Sequence, residues 1–185
     1  MMGWLLALLA LAVQDTPRAS GGVLLPEQAV YDVQRYSLAL DVDPVRRAIE
    51  GTLKMSAIAT AEAPRIALDL DDHLQVRGVT GSRELDWSFT DRRIWVDFAA
   101  PLHAGESFDV TVAYGGEPRV APNPPWDGGF TWAETADGRP WIATSCQGEG
   151  ADLWWPCKDH PSDKPNGMDL DITAVSYTHL TLPTN

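Results

Sequence analysis

The stretch Tyr36-Ser37-Leu38-Ala39-Leu40-Asp41-Val42-Asp43-Pro44 decides the fold, because its large apolar residues recur at every second position. Tyr36, Leu38, Leu40 and Val42 share one face of an extended segment, and Asp43-Pro44 supplies a turn. The same period returns downstream. Leu53, Met55, Ala57 and Ala59 alternate with Thr52, Lys54 and Ser56, and Ile66, Leu68 and Leu70 with Asp69 and Asp71. Leu85, Trp87 and Phe89 follow, then Ile94, Val96 and Phe98, then Phe108, Val110, Val112 and Tyr114. Met168, Leu170 and Ile172 close the series against Asp169, Asp171 and Thr173. Strands of this kind bury one face and wet the other, as in antiparallel sheets. Gly81-Ser82 and Gly115-Gly116 are read as turns between them. No window sustains a 3.6-residue apolar period, so the expected class is all-β, an antiparallel β-sandwich of two packed sheets.

From about Pro118 to residue 167 the texture changes to Pro, Gly and Trp, with Trp126, Trp132, Trp141, Trp154 and Trp155 in one stretch. Aromatic side chains at this density in a loop-rich region form a packed wall or an interface, and composition alone does not choose.

The ends read differently from the middle. Trp4 to Val13 is an unbroken apolar run, and Ala10-Leu11-Ala12 places small residues where a signal peptidase cleaves. The run is too short to span a bilayer, so residues 1–12 are expected to be a signal peptide, the product exported to a periplasm or medium, and stable membrane insertion is not expected. Residues 13–29 read as a linker, 30–175 as the β-domain, and 176–185 as a non-native tail that breaks the acidic, alternating texture. With 14 basic and 26 acidic residues the formal charge is −12, a surface that repels phosphate backbones. Nucleic acid is therefore not an expected partner. Cys146 and Cys157 are the only cysteines; export permits a disulfide between them, and the size of the chain does not require one.

The segment Cys146-Gln147-Gly148-Glu149-Gly150-Ala151-Asp152-Leu153-Trp154-Trp155-Pro156-Cys157-Lys158-Asp159-His160-Pro161, followed by Lys164, resembles the amino-terminal domain of the aminopeptidase N family, peptidase family M1. Tyr31-Asp32-Val33 with Tyr36, Ile49-Glu50-Gly51, and Val112-Ala113-Tyr114-Gly115-Gly116 are similar to that domain's strands. The resemblance covers roughly residues 30–175, and it implies a saddle-like β-sandwich packed on a downstream catalytic domain. In that family zinc is held by His-Glu-x-x-His and a later Glu. Here His73, His103, His160 and His179 include no pair at i, i+4, so Zn2+ is expected only in the parent enzyme, on ligands outside this sequence.

The resemblance also assigns Gln147 to the first substrate subsite, facing the free amine of a peptide substrate. A carbonyl oxygen accepts from an ammonium without burying another negative charge. No catalytic residue and no metal ligand is expected in the chain itself. Pro156, Pro161 and Asp159 read as parts of a bend, Lys164 as the partner of a nearby carboxylate, and His160 as a bend residue. Glu149 reads as acidic beside the site or merely solvent-facing. A reading from a different class remains: a secreted β-sandwich binding module whose exposed tryptophans stack on carbohydrate or protein.

Overall fold

The computed structural model describes residues 20–174; the expected signal peptide at 1–12, the tail at 176–185 and His179 lie outside them. Alternation becomes strands along most of the chain. A short helix α1 (Pro26–Ala29) leads into β1 (Tyr31–Asp43) and β2 (Ala48–Ala59), then β3 (Ala63–Asp69) and β4 (Gln75–Gly81). After them come β5 (Leu85–Thr90), β6 (Arg93–Leu102), β7 (Ser107–Gly116), β8 (Gly129–Glu134), β9 (Pro140–Ser145) and β10 (Gly167–Ala174). They form a five-stranded sheet in the order β10-β1-β2-β7-β4, a three-stranded sheet β3-β6-β5, and the hairpin β8-β9.

The two larger sheets face each other across one core. Tyr36, Leu38, Leu53, Met55, Val110 and Val112 meet Ile66, Leu68, Ile94 and Val96 there. Phe98 of β6 packs edge-on against Phe108 of β7, with ring centroids 5.6 Å apart. The Tyr31 hydroxyl crosses between the sheets to donate to the Ala67 carbonyl at 2.8 Å. The fold is therefore the all-β, sandwich-like, mostly antiparallel architecture that the two-residue period demands.

Local chemistry explains the junctions. The apolar period slips between Val33 and Tyr36, and β1 carries a bulge there, with register shifting between Val33 and Arg35. The bulged Gln34 accepts the Asn166 N–H at 2.9 Å and so anchors the entry to β10. Asp43 makes the expected turn, its Oδ1 accepting the N–H groups of Val45 and Arg46, each at 2.9 Å.

Four expectations need correction. Gly115-Gly116 is the end of β7, not a turn. A Cβ on Gly115 would lie 2.6 Å from the Ile49 carbonyl oxygen, so glycine there permits close strand packing. The strand β3 does not wet one face: Ile66 to Asp71 is buried without interruption, including both aspartates. The Trp-rich stretch is not only loop, since it forms the hairpin β8-β9. Lastly, β10 pairs parallel with β1 at a sheet edge, and its Leu170 remains 54% exposed.

Candidate substrate-facing turn

Leaving β9 at Ser145, the chain makes a tight reversal at Cys146–Gly150. The N–H groups of Glu149 and Gly150 both donate to the Cys146 carbonyl, at 3.3 and 2.9 Å. Gly148, with φ +89, takes the third position, where a type II turn needs a left-handed residue. That geometry leaves Gln147 at the corner, exposed, with its amide outside every buried network. An exposed amide on a hydrogen-bonded corner can accept from an incoming ammonium.

Glu149 folds inward instead. Its Oε2 is buried without a hydrogen-bond partner and lies where a side chain on Gly128 would stand. The loop containing Trp126 thus packs directly behind the turn. Trp126 itself points outward at 73% exposure, as does Trp141 at 51%. Trp155 is buried edge-on against Tyr36 at 4.9 Å, and Trp132 stacks on Phe130 at 5.2 Å. The five tryptophans therefore divide between packed wall and open surface.

Beyond the turn a 3-10 segment (Ala151–Leu153) leads into the bend. Tyr114 donates its hydroxyl to the Trp154 carbonyl at 3.0 Å, and Cys157 bridges to Asp69 through two backbone hydrogen bonds. The Asp159 carboxylate accepts the Ala151 N–H and so ties the bend back to the 3-10 segment. Desolvation raises its pKa, against the lowering effect of the hydrogen bonds it accepts from Ser20 and Ala151. His160 Nδ1 accepts the Ser162 N–H at 3.1 Å, the bend role that its neighbours implied.

The lysine of the bend is Lys158, not Lys164. Lys158 Nζ donates to Asp163 Oδ2 at 2.7 Å and to the Tyr31 carbonyl at 2.6 Å, while Lys164 is exposed. Cys146 and Cys157 are both free thiols, and burial pushes both pKa values up, Cys157 well above its ordinary value.

Sequence reading missed the buried charges behind the bend. Asp69 Oδ2 accepts from Gln28 Nε2 at 2.5 Å and from the Asp159 N–H at 3.2 Å. The signal was present: aspartates at 69 and 71 in a run otherwise made of Ile, Ala and Leu. Asp71, Asp72 and His73 bring three ligand-type atoms within 4.8 Å of one another. However, Arg119 Nε sits 3.0 Å from Asp71 Oδ2, and Arg92 Nε 3.0 Å from Asp72 Oδ1. Two guanidiniums already balance these carboxylates, so the cluster does not fit a catalytic zinc, which takes a His-rich set with an open position.

No protein-family profile matches the chain, and no curated protein does. Solved structures do. A two-domain M1 zinc metallopeptidase mutant bound to L-tryptophan matches with a TM-score of 0.65 at 27% identity, covering 80% of this chain and 33% of that one. A mutant M1 zinc metallopeptidase from Deinococcus radiodurans, bound to a Tyr-Ser-Ala substrate, matches at 0.59 and 25%, with the same coverages. Leukotriene A4 hydrolase from Saccharomyces cerevisiae shares the fold at 0.61 and 17%, covering 80% and 24%. The chain has structural homology to the amino-terminal-type domain of M1 zinc peptidases, and it spans about a third of the length of the metallopeptidases it matches.

Proposed function

We propose that this chain is the amino-terminal, non-catalytic β-domain of an exported zinc aminopeptidase, and that Gln147 helps to capture the free amine of peptide substrates. The observation that carries the reading is the Cys146–Gly150 turn. It presents one exposed amide acceptor, on a fold homologous to M1 zinc peptidases. Two of those relatives were solved with an amino acid or a short peptide bound, which supports the substrate class. The zinc belongs to the parent enzyme's downstream domain, since no His-Glu-x-x-His occurs in this sequence. The work of this domain is recognition: an exopeptidase distinguishes a chain end by its amine, and Gln147 offers an oxygen for it.

In the full-length parent, Gln147→Ala removes one hydrogen bond to a charged group. That costs about 1.5–3 kcal/mol, so kcat/KM falls roughly 10- to 150-fold while zinc content stays unchanged. A kcat/KM within about twofold of wild type means that Gln147 does not touch substrate. Export is tested separately, by amino-terminal sequencing of the secreted product. The expected start is near Val13, and an intact Met1 on soluble cytoplasmic protein overturns it.

A second reading draws on the outward Trp126 and Trp141, which suit a binding module. Sequence downstream of residue 175 separates the two: a His-Glu-x-x-His favours the enzyme, another module favours binding.

A further inference from the structure

The turn that carries Gln147 has few bonds of its own. Gln147 and Gly148 are exposed, and the internal hydrogen bonds run only to the Cys146 carbonyl. Two outside groups hydrogen-bond to its backbone. The Ser20 N–H donates to the Gly148 carbonyl at 2.9 Å. From the bend, the Asp159 carboxylate accepts the Ala151 N–H and fills the space beside Gly150, where a Cβ would lie 2.3 Å from Oδ2.

These two groups also meet each other. The Asp159 carboxylate takes a hydrogen bond from the Ser20 side chain, and the Gly21 N–H reaches the Asp159 carbonyl at 3.4 Å. Gly21 adopts φ +69, and a Cβ there would lie 3.0 Å from Cδ of Pro161. Glycine lets the segment lie this close to the bend. A closed ring results: Ser20 to Gly148, along the turn to Ala151, across to Asp159, and back to Ser20 and Gly21.

We propose that Ser20–Gly21 is a strap which, clamped by Asp159, positions the Gln147 turn for amine capture; this rests on the reading of Gln147 given above. Ser20 and Asp159 are positioning residues, since neither needs to touch substrate. Their role follows from the demands of alignment: misplacing a recognition group by an ångström costs up to about a hundredfold in rate. The segment that sequence reading takes for a linker thereby becomes part of the site.

The test pairs a structural with a kinetic measurement. Amide hydrogen exchange on the 185-residue chain is compared between wild type, Ser20→Pro, which lacks the donor N–H, and Asp159→Ala. Exchange at Glu149, Gly150 and Ala151 is expected to quicken about tenfold or more, while amides in β2 and β7 stay as in wild type. Ser20→Thr keeps both donors and is expected to behave as wild type, whereas Asp159→Asn keeps one acceptor oxygen, replaces the other with an N–H donor, and is expected to quicken exchange less than Asp159→Ala. In the full-length parent, Ser20→Pro is expected to raise KM about three- to tenfold with kcat little changed, and to add nothing in a Gln147→Ala background. Unchanged exchange at the turn, equal quickening in β2 and β7, or a KM effect that adds to Gln147→Ala overturns the proposal. If Gln147→Ala alone leaves the kinetics unchanged, the reading of Gln147 fails and amine capture with it. The exchange data then decide separately whether the strap holds the turn.

Discussion

A Cβ on Gly51 would stand 2.4 Å from Cζ of Tyr114, so the absence of a side chain is what lets that ring lie across β2. The ring in turn carries the hydroxyl that holds the Trp154 carbonyl, at the start of the bend. Gly51→Ala therefore forces the tyrosine or the strand to move. Overpacking of a filled core costs about 1–3 kcal/mol, which a urea midpoint measures; a loss below about 0.5 kcal/mol would show that the ring has room. At this scale the sequence was legible where the cause is local. His160 bonds Ser162 two positions on, and the turn that places Gln147 at its corner closes on the Cys146 carbonyl. It was illegible where the partner is remote: Asp69 meets Gln28 across 41 positions, and Lys158 meets the Tyr31 carbonyl across 127. Nothing within a few residues of Lys158 or Lys164 says which of the two turns inward.

The bend from Trp154 to Asp163 behaves as one element although it has almost no regular structure. It is fastened to the five-stranded sheet by Tyr36, whose hydroxyl accepts the Lys158 N–H at 3.0 Å, and by Tyr114. To β3 it is fastened by the Asp69–Cys157 bridge. At its centre lies an ion pair with side chains only 5% and 4% exposed, Lys158 with Asp163, whose ammonium also stands 4.6 Å over the Tyr31 ring. Removing one member of a buried pair leaves the other charged and unsolvated. Lys158→Met should accordingly destabilise by about 3–5 kcal/mol, and Lys158→Met with Asp163→Leu should recover much of that loss. Chemical denaturation of the two variants checks it: a single variant within 1 kcal/mol of wild type removes the pair from the account of the bend. The strands themselves were legible as elements because pleating turns burial directly into a two-residue period. The hairpin β8-β9 was not, since Gly129, Pro140 and the scattered tryptophans obscure that period. Nor was the parallel pairing of β10, because alternation records which face is buried and carries no direction.

For the molecule as a whole, three tyrosines tie the layers together, and their ionisation sets a limit on stability in alkali. Tyr31 spans the two sheets, donating to Ala67, while Tyr36 and Tyr114 join the five-stranded sheet to the bend. Burial pushes the pKa of all three upward, and neighbouring acidic groups add to it for Tyr31 and Tyr36. In each case the folded pKa lies above the unfolded one, so the stability is fully present below the unfolded pKa of about 10. It is lost as pH rises beyond that value toward the folded pKa, because only the unfolded chain can release these protons easily. Each such group contributes a slope of about 1.4 kcal/mol per pH unit, so three together give roughly 4. A domain stable by roughly 5–15 kcal/mol is therefore expected to lose its fold in alkali, above about pH 10. Tyrosinate absorbance followed beside near-ultraviolet circular dichroism should show Tyr31, Tyr36 and Tyr114 ionising in the same transition that abolishes tertiary structure. If all three give tyrosinate signal near pH 10 while the dichroism stays native, the hydroxyls are accessible to solvent and do not hold the layers together.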